Sequence, residues 1–247
     1  MQRYFVAPED MTAEQVIIRG EDAFHLIRVM RATIGTQVIV SNGQGKDALA
    51  AIHTLQHDQV QLSLVREELN QREPKVPIWI AQSLPKADKF ELVIQKCTEI
   101  GASAFIPFTS THTVVQYDPK QIAKRMERWQ KIAKEAAEQA HRSVIPKVHN
   151  IHSWKQLMSM TQEVGCRLFC YEKPSAKSLK LVLSENRVNL KHPILVMVGP
   201  EGGFSDQEAA DAEAAGWTAV SLGARILRTE TAAMLALGCV LYEFDDI

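Results

Sequence analysis

The chain has 247 residues, 46% of them apolar and 23% charged, with 28 Lys+Arg against 29 Asp+Glu for a formal net charge of −1. This composition excludes a disordered or collagen-like chain. The longest strongly apolar run, 194–198, falls far short of the roughly 18–20 residues of a membrane span. A near-neutral total also argues against a generic nucleic-acid binder, since such domains are usually basic.

Residues 1–6 show no apolar signal region or cleavage pattern, so the expected location is cytoplasmic. Residues 1–72 read as a small β-rich unit. Val60, Leu62 and Leu64 alternate with Gln59, Gln61 and Ser63, the period of a half-buried strand. Strands are also predicted at 15–19 and 36–40, and a short helix at 21–30. Residues 41–45, Ser-Asn-Gly-Gln-Gly, make a hairpin turn, because Asn and Gly tolerate positive φ. Several short strands joined by such turns predict a small barrel. The polar, two-proline segment 70–77 is a linker, with the boundary near residue 72 and a second domain over 73–247.

Beyond it the rhythm becomes strand–helix. Strands are predicted at 78–84, 104–108, 167–171, 194–198 and 218–222. Helices are predicted at 88–100, 119–141, from about 153, and at 175–184, 205–215 and 229–242. Ser205-Asp206-Gln207-Glu208 is a capping box. The pattern predicts an α/β domain with a mainly parallel sheet, whose ligands sit at the carboxyl ends of strands.

Two loops follow strands at that edge. Gly199-Pro200-Glu201-Gly202-Gly203-Phe204-Ser205 has glycines that let backbone approach a ligand. Their spacing fits neither a dinucleotide fingerprint nor a P-loop. Leu222-Gly223-Ala224-Arg225-Ile226-Leu227-Arg228-Thr229-Glu230-Thr231-Ala232 opens the last helix, with Glu230 set against its dipole and Arg225 and Arg228 at the ligand edge. Lys86 and Lys89 flank a third strand-to-helix loop, where two cations oppose the dipole. Charge is segregated. Residues 119–147 hold eight basic against three acidic side chains, and 201–213 hold five acidic and no basic ones. Arg28 and Arg31, with Arg3, form a candidate phosphate-contacting patch in the small unit. Cys97, Cys166, Cys170 and Cys239 lack the spacing of a zinc or redox motif and read as small buried hydrophobes. His149 and His152 lack a third ligand nearby, so no metal is expected.

The paired motifs Gly199-Pro200-Glu201-Gly202-Gly203 and Leu222-Gly223-x-Arg225-Ile226-Leu227-Arg228-Thr229-Glu230-Thr231-Ala232 resemble the signature of the RsmE family of the SPOUT superfamily. So do Arg3-Tyr4-Phe5, Gln95-Lys96 with Glu99-Ile100-Gly101, and Glu135-Ala136-Ala137-Glu138-Gln139 with Arg142, so the likeness spans the chain. Ala140-His141 departs from the small residue and Gly that relatives often carry there. The resemblance implies a PUA-like RNA-binding β-barrel followed by a SPOUT methyltransferase domain with a trefoil knot, acting as a homodimer. It implies S-adenosylmethionine as donor and N3 of uridine 1498 in 16S ribosomal RNA as acceptor, the RNA being met in the assembled small ribosomal subunit. The donor site it implies comprises Val198, Gly199, Glu201, Gly202, Gly203, Leu222, Gly223, Ile226 and Leu227, with Cys170 and Tyr171 as a third wall.

In-line displacement from a sulfonium needs positioning rather than a metal or a covalent intermediate. The acceptor N3 must lose a proton, so Arg228 is expected to stabilise the developing oxyanion, and Glu230 to orient Arg228 or act as base. Expected RNA contacts are Arg3, Arg28 and Arg31 in the small domain and Lys86, Lys89, Arg125 and Arg142 in the larger one. Two alternatives are a SPOUT methyltransferase acting on another RNA such as transfer RNA, and a non-catalytic RNA-binding assembly factor.

Overall fold

The computed structural model describes residues 1–69, 72–160, 164–172, 176–186 and 192–247. It divides into one unit of Met1–Glu73 with Ala137–Ile145, and another of Pro74–Ala136 with Pro146–Ile247.

The first unit runs β1 (Arg3–Phe5), a 3-10 turn (Pro8–Asp10), β2 (Gln15–Arg19), α1 (Gly20–Phe24), a π-helical turn (His25–Val29), β3 (Gln37–Ser41), β4 (Asp47–Leu55) and β5 (Gln59–Glu68). Its sheet order is β1-β3-β4-β5-β2, antiparallel except for the parallel β1–β3 pair. Inward residues of both edge strands, Tyr4, Val16 and Ile18, share one core with Val40, Ala50, Ile52 and Leu62, so the sheet curls around a single apolar interior. Register shifts at Leu49/Ala50 and Ile52/Thr54 supply bulges of the kind that bend a strand. The Asn42 side chain accepts hydrogen bonds from the N–H groups of Gln44 and Lys46 and so builds the β3–β4 turn. The helix expected at 21–30 is two pieces, because at His25 the backbone widens into a π turn. It ends at Arg31, whose φ of 50° is left-handed.

The segment Ala137–Ile145, which the sequence boundary near residue 72 places in the larger domain, belongs instead to this unit. Glu73 binds the Arg142 guanidinium at 2.6 Å and accepts from the N–H groups of Ser143 and Val144. Ser41 Oγ donates to the Ser143 carbonyl, and the Phe5 N–H donates to Glu138.

The second unit runs β6 (Ile78–Ser83), α2 (Lys89–Ile100), β7 (Ala104–Thr109), α3 (Pro119–Gln139, its last turn counted with the first unit), β8 (Lys147–Val148), β9 (His152–Ser153) and α4 (Trp154–Ser159). It continues through β10 (Cys166–Cys170), β11 (Lys177–Ser178), α5 (Leu179–Asn186), β12 (Ile194–Val198), α6 (Asp206–Ala214), β13 (Thr218–Ser221) and α7 (Thr229–Glu243). The sheet is parallel in the order β11-β13-β10-β12-β6-β7-β8, with β9 also pairing β7. The helix expected from residue 175 starts at Leu179. Residue 175 lies outside the described residues, as do positions 70 and 71 of the expected linker.

Continuous apolar strands reflect burial on both faces. Ala81, Leu195, Met197 and Phe169 pack with Leu157 of α4 and Ala209 and Ala212 of α6, while α7 lies against β6, β12, α2 and α5. Trp129 of α3 is buried and meets Phe90 of α2 edge-on at 4.7 Å. Among the described residues no helix is long and apolar enough to cross a membrane.

Candidate active site

β6, β12, β10 and β13 are neighbours in the sheet and end together. Val198 is level with Gln82, Phe169 with Met197, and Cys170 with Val220. The loops beyond these ends enclose a cavity of about 640 Å³, a size that suits a nucleoside-sized ligand. Cys170, Tyr171, Val198, Gly199, Glu201, Gly202, Gly203, Leu222, Gly223, Ile226, Leu227 and Arg228 all line it, together with Lys89, Arg225, Thr229 and Asp206.

The glycine loop is held from behind. A Cβ on Gly202 would stand 3.0 Å from Cβ of His112, and Gly203 has a left-handed φ of 69°. Side chains at both positions would disturb the backbone facing the cavity. The His112 ring is 3.0 Å from the Gly203 carbonyl through Nδ1. Beyond the loop, Ser205 and Glu208 form the expected capping box, and the buried Glu208 carboxylate also accepts from the Thr111 N–H at 2.7 Å.

Two side chains beside the cavity have a part that the sequence reading did not give them: Gln82, and Thr229, which the sequence offers only as a helix cap. Thr229 Oγ1 donates to the Gly199 carbonyl at 2.6 Å, and Gln82 Nε2 donates to Thr229 Oγ1 at 2.8 Å. This buried relay ties the end of β6, the glycine loop and the start of α7 together. A glutamine inside the apolar strand 78–84 was the available signal.

The electrostatics centre on Lys89. Its Nζ donates to Glu201 at 2.7 Å and lies 4.0 Å from Glu230 Oε2. Burial pushes the Glu201 carboxyl upward. Hydrogen bonds from Lys89 and from the N–H groups of Glu201 and Lys86, with the Lys89 charge, outweigh that and hold it below its ordinary value. Glu230 does not line the cavity. It is buried beside Lys89, and its Oε2 has no hydrogen-bond partner. Arg228, the N-cap residue of α7, is exposed and makes no ion pair with Glu230, so the expected Glu230–Arg228 orientation is absent. Burial pushes the Cys170 thiol up to about 12 and raises Cys97, Cys166 and Cys239 too, so these thiols stay protonated and are poor nucleophiles. Among the described residues no group of three or more His, Cys, Asp or Glu side chains is placed to hold a metal.

The expected RNA contacts divide. Arg28, Arg31 and Lys86 are exposed, and Arg125 lies over the Tyr117 ring at 4.4 Å. Arg3 and Arg142 depart from that expectation. They are 6% and 2% exposed, Arg3 bound to Asp47 at 2.7 Å and Arg142 to Glu73, so their guanidiniums serve the interior of the first unit rather than an RNA surface.

A family model described as an RNA methyltransferase domain matches residues 71–241, and one described as an RNA methyltransferase PUA domain matches residues 18–65. The chain is 37% identical over 253 residues to ribosomal RNA small subunit methyltransferase E of Bacillus subtilis, covering 99% of this chain and 98% of that protein. It is 36% identical to the protein of the same name from Synechocystis, covering 95% and 75%. Among solved structures it is similar to ribosomal RNA small subunit methyltransferase E from Neisseria gonorrhoeae bound to S-adenosyl methionine. That match has a TM-score of 0.86 and 30% identity, covering 98% of this chain and 97% of the other.

Proposed function

Because the chain belongs to the family of ribosomal RNA small subunit methyltransferase E, we propose that it transfers a methyl group from S-adenosylmethionine to N3 of a uridine, uridine 1498 of 16S ribosomal RNA, in the cytoplasm. The observation that carries this reading is the cavity at the carboxyl ends of β6, β10, β12 and β13. It is walled by backbone from the glycine loop on one side, and Lys89, Arg225 and Arg228 also line it.

The residues present fit the donor. Gly202 and Gly203 leave backbone groups uncovered where a side chain would collide or strain, and Ile226 and Leu227 offer apolar walls beside them. When bound, S-adenosylmethionine supplies an electrophilic methyl group on a sulfonium sulfur. The chain supplies position and charge. The relay Gln82–Thr229–Gly199 fixes the glycine loop relative to α7, and Arg228 meets the negative charge that develops on a uracil carbonyl as N3 loses its proton. One such preorganised donor is worth about 10²–10³ in rate. The small unit contributes Arg28 and Arg31 to phosphate contact, and the larger unit Lys86 and Arg125. We also propose a knotted C-terminal half, and a homodimer built on α7, where Leu235 and Tyr242 are exposed seven residues apart on the face opposite the helix's buried residues.

The decisive experiment maps N3-methyluridine in 16S RNA from cells lacking the gene and in subunits treated with the purified protein and donor. The modification is expected to vanish in the first and return in the second at one position. Retention in the deleted strain, or methylation of transfer RNA alone, would overturn the reading.

A further inference from the structure

We infer that Lys89 is a second catalytic cation, bound to one uracil carbonyl oxygen while Arg228 holds the other, and that Glu230 is a positioning residue acting through Lys89. The inference rests on the uracil-N3 reading above. It starts from the acceptor's chemistry. When N3 gives up its proton to water, the N–H electron pair stays on the ring, and its charge spreads onto both flanking carbonyl oxygens. That pair then forms the N3–methyl bond as the methyl–sulfur pair returns to sulfur. Each oxygen lies about 2.3 Å from N3, as in any amide-type N–C=O unit, and the two point to opposite sides. One cation cannot meet both and leave N3 open to the methyl group. Two cations from different elements can.

The cavity offers that arrangement. Lys89 is the first residue of α2 and Arg228 caps α7, two helices that pack together, and both side chains line the cavity. Lys89 has three N–H donors. One goes to Glu201 at 2.7 Å, and Glu230 Oε2 stands 4.0 Å away, too far for a hydrogen bond. The ammonium is therefore steered by two carboxylates and keeps donors for an incoming oxygen. Glu230 is 9% exposed and outside the cavity wall, and its Oε2 lacks a hydrogen-bond partner. That places it behind Lys89 rather than against a substrate. A phosphate-contacting lysine would have no use for two flanking carboxylates, which repel phosphate.

The test uses the full-length protein and undermethylated small subunits. At saturating donor, Lys89→Met is expected to lower the single-turnover rate about 10²–10³-fold, with Lys89→Arg restoring most of it. On RNA carrying 5-fluorouridine, whose N3 ionises more readily, the Lys89→Met deficit should shrink at least tenfold. With S-adenosylhomocysteine in the donor pocket, wild-type affinity for that RNA should rise with pH as the base ionises, and this rise should be lost in Lys89→Met. Glu230→Gln should slow the wild type but add no further loss to Lys89→Met. An equal deficit on both RNAs, an unchanged pH response, or additive losses would overturn the proposal. Analysis of the wild-type product separates the two readings. If it is not N3-methyluridine, the parent reading fails and this one with it. If it is, failure of the other measurements falls on Lys89 alone.

Discussion

Arginines of one sequence type meet two fates in this chain, and the difference is physical. Arg28 and Arg31 reach solvent, whereas Arg3 and Arg142 are buried against Asp47 and Glu73. Removing one partner of a buried pair strands the other charge and costs about 3–5 kcal/mol. Arg142→Ala is therefore expected to lower the denaturation midpoint sharply while leaving the salt dependence of RNA binding unchanged in whatever protein stays folded. Arg28→Ala and Arg31→Ala should do the reverse, each reducing the slope of log affinity against log salt by about 1. Filter-binding across a salt series, paired with thermal melts, reads both. A flattened slope in Arg142→Ala would return that residue to the RNA surface. The pairing was illegible because Asp47 lies 44 residues from Arg3 and Glu73 lies 69 from Arg142. No local pattern carries such a contact. The glycine loop and its cap beside the cavity were legible because glycine and capping chemistry act within a few positions.

At the scale of elements, periodicity located strands and helices well wherever burial or a cap is local. The capping box at Ser205 is the clearest case, since Ser205 Oγ and Glu208 exchange hydrogen bonds over three residues. Ser205→Ala should cost about 1 kcal/mol and lower the melting temperature by roughly 2–4 °C. It should also weaken donor binding in calorimetry, because Ser205 ends the glycine loop. A lowered melting temperature with intact affinity would detach the cap from the site. The π turn at His25–Val29 was not foreseen. A helix that widens by one residue keeps the same apolar side chains inside, here Ala23 and Leu26, so hydrophobic spacing does not betray it.

For the whole molecule, the net charge of −1 conceals opposed segments. A protein that recognises one structured RNA site tolerates such a total, whereas an indiscriminate phosphate binder would not. Assembly is the property testable at this scale. Leu235, 38% exposed, and Tyr242, 72% exposed, lie on one face of α7. Leu235→Glu is expected to convert a dimer to a monomer at micromolar concentration in light scattering, with helix content by circular dichroism retained. A wild-type monomer would remove the dimer from the proposal.

The first unit is completed by Ala137–Ile145, a strip encoded well after Glu73, and this sets a timetable for its birth. Translation adds about 5–20 residues each second, so the 72 positions from Glu73 to Ile145 take roughly 4–14 s to synthesise. Throughout that interval the opening residues have been made while their closing strip has not. Asp47 and Arg3 can meet early, but Glu73 waits for Arg142, and Ser41 for the Ser143 carbonyl. The first unit opens the gene, yet it cannot close until residues 74–136 of the second have also been made. Nor can it be transplanted between genes as one uninterrupted cassette, so its inheritance is bound to that of the helix that carries its final piece.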